Sequence, residues 1–541
     1  MTTHREQTQK TKELIDGLKT VCGNYGLANT GYEYKIITEA FLYKFLNDKF
    51  LYEARRALPE LQNSKDLERD IQKLKKDDYE YLLDKLGTKV AKFKKSHFIS
   101  SLFNKQNEDD FASIFDATLA ELGELNIKLF SVSTITNERI ALFEKISNYI
   151  VEVNQKTPFC RAIINKLAAF SFESVFTEKY DFFSTVFEYL IKDYNKDSGQ
   201  YAEYYTPRAV ATVMARILTP DPVKSVEIYD PAAGSGSLLL ALAHQIGENK
   251  CTIYSQDISQ KSSEFLRLNL ILNNLVHSLH NVVKGNSLTE PFHKEGKALR
   301  RFDYIVSNPP FKTDFSDDRE TLAAELHRER FFAGVPKVPA GKKESMAIYL
   351  MFIQHILYSL NDRGKAAVVV PTGFLTAGSG IEKAIRKKLV DEKMLRGVVS
   401  MPSNIFANTG TNVSIVFIDK SRSSEEAVLL DASKLGTKVK EGKNQKTLLS
   451  AEEETRIIET FNAGKAEEDF SVLASYADIA AKNYSFSAGQ YFEVKIEYSE
   501  LTSAEFGEKM AGYNERLAAY FTESKKLEKE IQKRLMGLKY E

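Results

Sequence analysis

Through the first 190 positions apolar residues recur every three to four places, as in Ile36, Ile37, Ala40, Phe41 and Phe45, and no convincing strand pattern interrupts them. The spacing predicts an α-helical N-terminal domain over residues 1–190. It continues in Phe159, Cys160, Ala162 and Ile163 and again over 182–191, up to the polar run Asn195, Lys196, Asp197, Ser198 and Gly199. The texture then changes. Short apolar runs at 225–229, 252–255, 303–306 and 366–370 alternate with helical stretches at 238–244, 264–273 and 345–360, the βαβ signature of a mostly parallel sheet. Two further runs, 395–400 and 413–419, are joined by too short a connection for a crossover helix, so they are expected to pair antiparallel at one sheet edge. Beyond residue 432 the chain reads as polar and irregular until Phe506, Met510, Tyr513, Leu517, Tyr520, Leu527, Ile531 and Leu538. Their spacings of four and three, broken only at Ser524 and Arg534, predict a protruding coiled-coil-like helix. The expected protein is α/β, with a helical domain at 1–190, a Rossmann-like domain at 191–480 and a tail at 481–541 that meets a partner.

Composition narrows the class. With 541 residues, 27% charged and 43% hydrophobic, the chain can build several domains with large cores, and gross disorder is excluded. Lys and Arg number 74, as do Asp and Glu. A duplex-DNA binder acting alone usually carries a basic excess, so a DNA ligand would be held with a partner's help. Only Cys22, Cys160 and Cys251 occur, a spacing that suits neither a disulfide framework nor zinc, and no metal is expected. The opening residues lack the apolar core of a signal peptide and no run of 18 apolar residues follows, so a cytoplasmic location away from membranes is expected.

The chemistry concentrates at strand ends. Asp230, Pro231, Ala232, Ala233, Gly234, Ser235, Gly236 and Ser237 lead from a strand through a glycine-bearing turn into a helix, and such a turn lets a ligand lie against bare backbone. It is neither GxGxxG nor a Walker loop, which disfavours a dinucleotide and nucleotide hydrolysis. Asp257 ends the next strand, 21 positions beyond Gly236, a spacing that suits a carboxylate accepting from both ribose hydroxyls. A third strand end, with Asn286, can offer polar groups to an adenine edge. Together these indicate a nucleoside cofactor.

Asn308, Pro309, Pro310 and Phe311 directly follow the run 303–306, where open α/β sheets carry out their chemistry. Two prolines remove two backbone donors, so the tetrapeptide must form a stiff turn beyond the sheet. An exocyclic amine on an aromatic ring is a poor nucleophile because its lone pair is conjugated. If the Asn308 side-chain oxygen and the Pro309 carbonyl accept its two hydrogens, the lone pair is freed toward an electrophilic methyl. Phe311 offers a face on which a base rotated out of a duplex can stack.

These residues resemble those of S-adenosylmethionine-dependent amino-methyltransferases, specifically the modification subunits of Type I restriction-modification systems. The likeness runs over nearly the whole chain and includes the helical front, Gly199-Gln200, residues 230–237, Gln256-Asp257, residues 308–311, 364–371 and 401–411, and the helical tail. It implies that Glu203, Tyr204, Tyr205, Thr206, Pro207 and Arg208 wrap the cofactor, with Thr206-Pro207 near its methionine end. It also implies that Ser235, Gly236 and Ser237 form the floor, that Asp257 holds the ribose and that Asn286 approaches the cofactor's adenine, where relatives commonly carry Asp. The implied reaction is methyl transfer from S-adenosylmethionine to adenine N6 in duplex DNA with the base flipped out. The implied partners are a specificity subunit that reads the sequence, a second copy of this chain and a motor-nuclease subunit. A basic patch of Lys312, Arg328, Arg330, Lys337, Lys342 and Lys343 in the segment 312–344 is expected to close over the extruded base. Other readings stand beside this one: a subunit of a related defence system, a methyltransferase acting on glutamine or RNA, or a non-catalytic assembly module.

Overall fold

The computed structural model describes residues 2–28, 30–88, 90–136, 138–176, 186, 189, 206–406, 412–422, 424–441, 444–492 and 502–536. The chain divides into two compact units, Met1–Tyr491 and Phe492–Glu541.

In the first unit the N-terminal helices include Thr2–Asn24, Glu33–Ala57, Phe111–Leu125 and Val153–Ala168. The periodic residues Ile36, Ile37, Ala40, Phe41 and Phe45 are all buried there, and Phe41 and Phe45 meet Phe172 edge-on. Between the helices Phe111–Leu125 and Val153–Ala168 lie two short strands that no sequence pattern announces, β1 (Val132–Thr134) and β2 (Arg139–Ile140). Runs of three and two residues are too short for a period of two to register.

The remaining strands are β3 (Val226–Asp230), β4 (Cys251–Asp257), β5 (Val282–Lys284), β6 (Lys294–Glu295), β7 (Ala298–Leu299), β8 (Phe302–Ser307), β9 (Leu360–Pro371), β10 (Leu395–Ser400), β11 (Val413–Asp419), β12 (Glu426–Asp431), β13 (Thr437–Glu441), β14 (Asn444–Leu448) and β15 (Ser471–Ser475). Among the described residues eleven of the fifteen form one sheet in the order β15-β12-β10-β11-β9-β8-β3-β4-β5-β1-β2, while β6-β7 and β13-β14 are separate hairpins. The strands from β9 through β8, β3, β4 and β5 to β1 run parallel. Ile228, Ile253, Ile305, Val369 and Ile415 are fully buried, as expected of central strands covered on both faces.

β10 and β11 do pair antiparallel, but not at an edge, because β12 adds in parallel to β10 and β15 adds to β12. The stretch after 432, read as irregular, holds β13, β14, β15 and the helix Ala451–Ala463, which is opened by a Ser450/Glu453 capping box. Lys438, Lys440, Glu452 and Glu459 lie on exposed faces of these elements, while Thr447, Thr460 and Ser471 are buried. In the second unit the helix Ser503–Met536 forms where the four-and-three spacing predicts it, and none of its residues is buried. Leu538 lies outside the described residues. No helix among them is long and apolar enough to cross a membrane.

Candidate active site

β3 and β8 are neighbours, with β4 on one side of the pair and β9 on the other, so the strand order reverses between them. A crevice opens at the carboxyl ends of such strands. Asp230 ends β3 and is fully buried. Its Oδ1 accepts the Ala232 N–H at 2.9 Å and the Ser307 hydroxyl at 2.8 Å, which ties the turn after β3 to the last residue of β8. The Gly234 N–H donates to Asp257 Oδ2 at 2.9 Å and ties the same turn to the end of β4. Gly236 has φ +83°, and a Cβ there would stand 2.1 Å from Leu266 Cδ1, so glycine is needed both for the turn and for close helix packing. The helix Ser237–Ile246 starts directly from it.

Asp257 also accepts the Ser259 N–H at 2.8 Å through Oδ1, so each of its carboxylate oxygens has one backbone donor and keeps a second lone pair. Burial raises its pKa against those two hydrogen bonds. Burial raises Asp230 to about 7, the charge of Asp257 adds to the effect, and the bonds from Ala232 and Ser307 oppose it. Asn286 has its oxygen engaged by the Leu288 and Thr289 N–H groups at 3.0 and 3.4 Å, and its Nδ2 donates to Asp318 at 3.3 Å.

Asn308 follows β8. Its Nδ2 lies 3.3 Å from Thr206 Oγ1, and its Oδ1 has no partner among the described residues. Pro309 is buried and Pro310 is exposed. Phe311 is half-buried and meets Tyr349 edge-on, with ring centroids 6.3 Å apart. Thr206 is buried, Pro207 is the N-cap of the helix Arg208–Leu218, and Arg208 is exposed on its first turn. Glu203, Tyr204 and Tyr205 lie outside the described residues, as do Gly199, Gln200 and residues 407–411.

Thr206, Asp230, Ala232, Gly234, Ser237, Asp257, Asn286, Asn308 and Pro310 line one cleft. Ser235, Gly236, Pro207, Arg208, Pro309 and Phe311 are not among the residues that line it. The sequence reading missed the apolar lining from Ile258, Leu288, Ile348 and Phe352. Ile258 carried a signal, since it is a large apolar residue immediately after a strand-end carboxylate, and it is exposed.

The segment 312–344 differs from an open basic loop. Phe315, Leu322 and Phe331 form a small core with Leu288, Met346, Ile348, Met351 and Phe352. Arg330 leaves the expected patch: it is 4% exposed, and its Nη2 donates to the Leu288 carbonyl at 2.7 Å. It follows the aromatic Phe331 inward, stacking 4.3 Å from that ring, while Lys312, Arg328, Lys337, Lys342 and Lys343 stay exposed. No group of three His, Cys, Asp or Glu among the described residues can hold a metal ion.

A family model described as N-6 DNA Methylase matches residues 178–500, more than half of the chain. The chain belongs to the N-6 DNA methylase family. The chain is 30% identical over 331 residues to the Type I restriction enzyme MpnII methylase subunit of Mycoplasma pneumoniae, covering 59% of each chain. It is 28% identical over 393 residues to the MjaIX methylase subunit of Methanocaldococcus jannaschii, covering 70% of this chain and 66% of that one. The chain therefore spans 59% and 66% of the length of these two curated relatives. Among solved structures, the type I restriction-modification methyltransferase subunit from Streptococcus thermophilus has a TM-score of 0.69 at 22% identity, over 91% of this chain and all of the other. The N-6 DNA methylase chain shares the fold of that subunit.

Proposed function

We propose that this N-6 DNA methylase chain is an adenine-specific DNA methyltransferase that uses S-adenosylmethionine, and that it works as the modification subunit of a multisubunit restriction-modification complex. The observation that carries the proposal is that Asn308, with an unengaged side-chain oxygen, and the Asp257–glycine turn share one cleft. The donor set fits the cofactor. Two carboxylate lone pairs on Asp257 match a ribose diol, Gly234 presents bare backbone in the cleft wall, and Ile258 and Leu288 supply apolar surface for a purine. Glu203, Tyr204, Tyr205, Thr206, Pro207 and Arg208 are proposed to wrap its other end, with Ala232, Ser235 and Ser237 on the floor and Asn286 at the adenine edge.

The bound cofactor supplies an electrophilic methyl. The chain's residues prepare the nucleophile: Asn308 Oδ1 and the Pro309 carbonyl accept the two hydrogens of adenine N6, and the proline pair holds these acceptors still. The amine proton becomes acidic once the nitrogen is alkylated, so no strong base is needed. Pro310 and Phe311 border the flipped base.

The balanced charge and the apolar stripe of Ser503–Met536 support delegation of sequence reading to a specificity subunit. A second copy of this chain and a motor-nuclease subunit complete the proposed assembly. The test is to purify the chain with its specificity partner, incubate it with unmethylated genomic duplex and labelled S-adenosylmethionine, and identify the product nucleoside by mass spectrometry. N6-methyladenine is expected. Asn308→Ala should lower its rate by at least about 100-fold and leave the calorimetric cofactor Kd within about threefold. Cofactor binding without transfer to DNA would instead make the chain an assembly module.

A further inference from the structure

An asparagine that must accept hydrogens from an amine has a problem of orientation. Its amide presents an acceptor at Oδ1 and a donor at Nδ2, and a rotation of about 180° exchanges them. In the rotated state two N–H groups would face each other, and the amine would keep its conjugated lone pair. Something must select one orientation, and the only side chain among the described residues bonded to the Asn308 amide is Thr206.

We infer that Thr206 is the positioning residue for Asn308. The inference rests on the reading of Asn308 above. Thr206 Oγ1 lies 3.3 Å from Nδ2, which directs Oδ1 away from it, and the hydroxyl is buried and lines the same cleft. Pro207, as helix N-cap, fixes the backbone immediately after it.

A hydroxyl can donate as well as accept, and donating to a rotated Oδ1 would stabilise the wrong state. Thr206 holds the productive state while its oxygen accepts from Nδ2 and its own proton points elsewhere. No other partner of that hydroxyl is present among the described residues, and the cleft it faces is the one assigned to S-adenosylmethionine, which carries a carboxylate. An acceptor on a bound ligand that took the Thr206 proton would reinforce this role, leaving the oxygen to accept from Nδ2.

The test compares Thr206→Val, which keeps shape and removes the hydroxyl, with Thr206→Ser, which keeps the hydroxyl. Each is assayed in the complex with the specificity partner on unmethylated duplex, for kcat at saturating cofactor and for cofactor Kd by calorimetry. T206V should lower kcat by on the order of 10–100-fold even at saturation, the range a small misplacement of a reacting group produces, and should weaken cofactor binding. T206S should restore both to within about threefold. A T206V enzyme with wild-type kcat and a defect confined to cofactor Kd would overturn the inference, as would a T206S enzyme as slow as T206V. Absence of transfer by the unaltered complex would overturn the reading of Asn308 and this inference with it.

Discussion

Asp230 is a carboxyl group with no cation beside it among the described residues, held by one backbone N–H and one hydroxyl at the junction of the turn after β3 with β8. Its pKa is raised to about 7 from an unfolded value near 3.9. The folded state therefore binds the proton more tightly. The stability this contributes is complete below about pH 4 and is lost as pH rises to about 7, at roughly 1.4 kcal/mol for each pH unit crossed between those two values. Asn at this position keeps an oxygen for both donors and does not ionise. Asp230→Asn should thus flatten the fall in thermal midpoint between about pH 4 and pH 7, and a fall as steep as in the unaltered protein would contradict the assignment. Gly236→Ala is a second residue-scale case, since it meets both a positive φ and Leu266. A loss of about 1–3 kcal/mol is expected, read as a lower denaturation midpoint, and a midpoint unchanged from wild type would show that neither constraint matters. Gly236 was legible in the sequence as part of a ligand turn because the motif spacing implied it. The contact with Leu266 was not legible, because it joins helices whose crossing no local pattern encodes. The Thr206–Asn308 contact was hidden for the same reason, with 102 positions between its partners.

Elements follow the same logic of local signal against tertiary context. β3, β4, β8 and β9 were legible because strands buried on both faces read as apolar runs between helical stretches. β12 and β15 were not, although β12 carries Ala427, Val428, Leu429 and Leu430, because a run after an antiparallel pair gives no sign of whether it joins the sheet. The segment 312–344 was readable as basic. Its docking through Phe315, Leu322 and Phe331 was masked by the charges between them. That docking separates Arg330 from its neighbours. Replacing it with Met removes one bond to the Leu288 carbonyl and the burial cost of the cation, so Arg330→Met should change stability by no more than about 1 kcal/mol. It should also leave the salt dependence of DNA binding unchanged. Lys337→Ala and Lys342→Ala together should reduce the slope of log K against log salt if the exposed lysines meet phosphates. An altered slope in R330M would return Arg330 to the DNA surface.

For the whole molecule, balanced charge and the second unit bear on the same question of what the chain needs from others. The helix Ser503–Met536 exposes Phe506, Met510, Tyr513, Leu517, Tyr520, Leu527 and Ile531. Their spacing was legible in the sequence, but the surface that covers them was not, because the matching residues are proposed to belong to another chain. An apolar stripe of this length in water favours association, and the a/d spacing favours a helical partner. Tyr513→Lys with Leu517→Lys places two charges at its centre without touching the residues that bury the core of Met1–Tyr491. The double variant should keep the thermal midpoint of that unit and its cofactor Kd, and should lower affinity for the specificity subunit at least about 10-fold, measured by light scattering after gel filtration. Methylation of DNA should fall in proportion to complex formed and recover at high partner concentration. Unchanged association would mean that the stripe serves some other contact, and a parallel loss of cofactor binding would mean that it supports the catalytic unit itself.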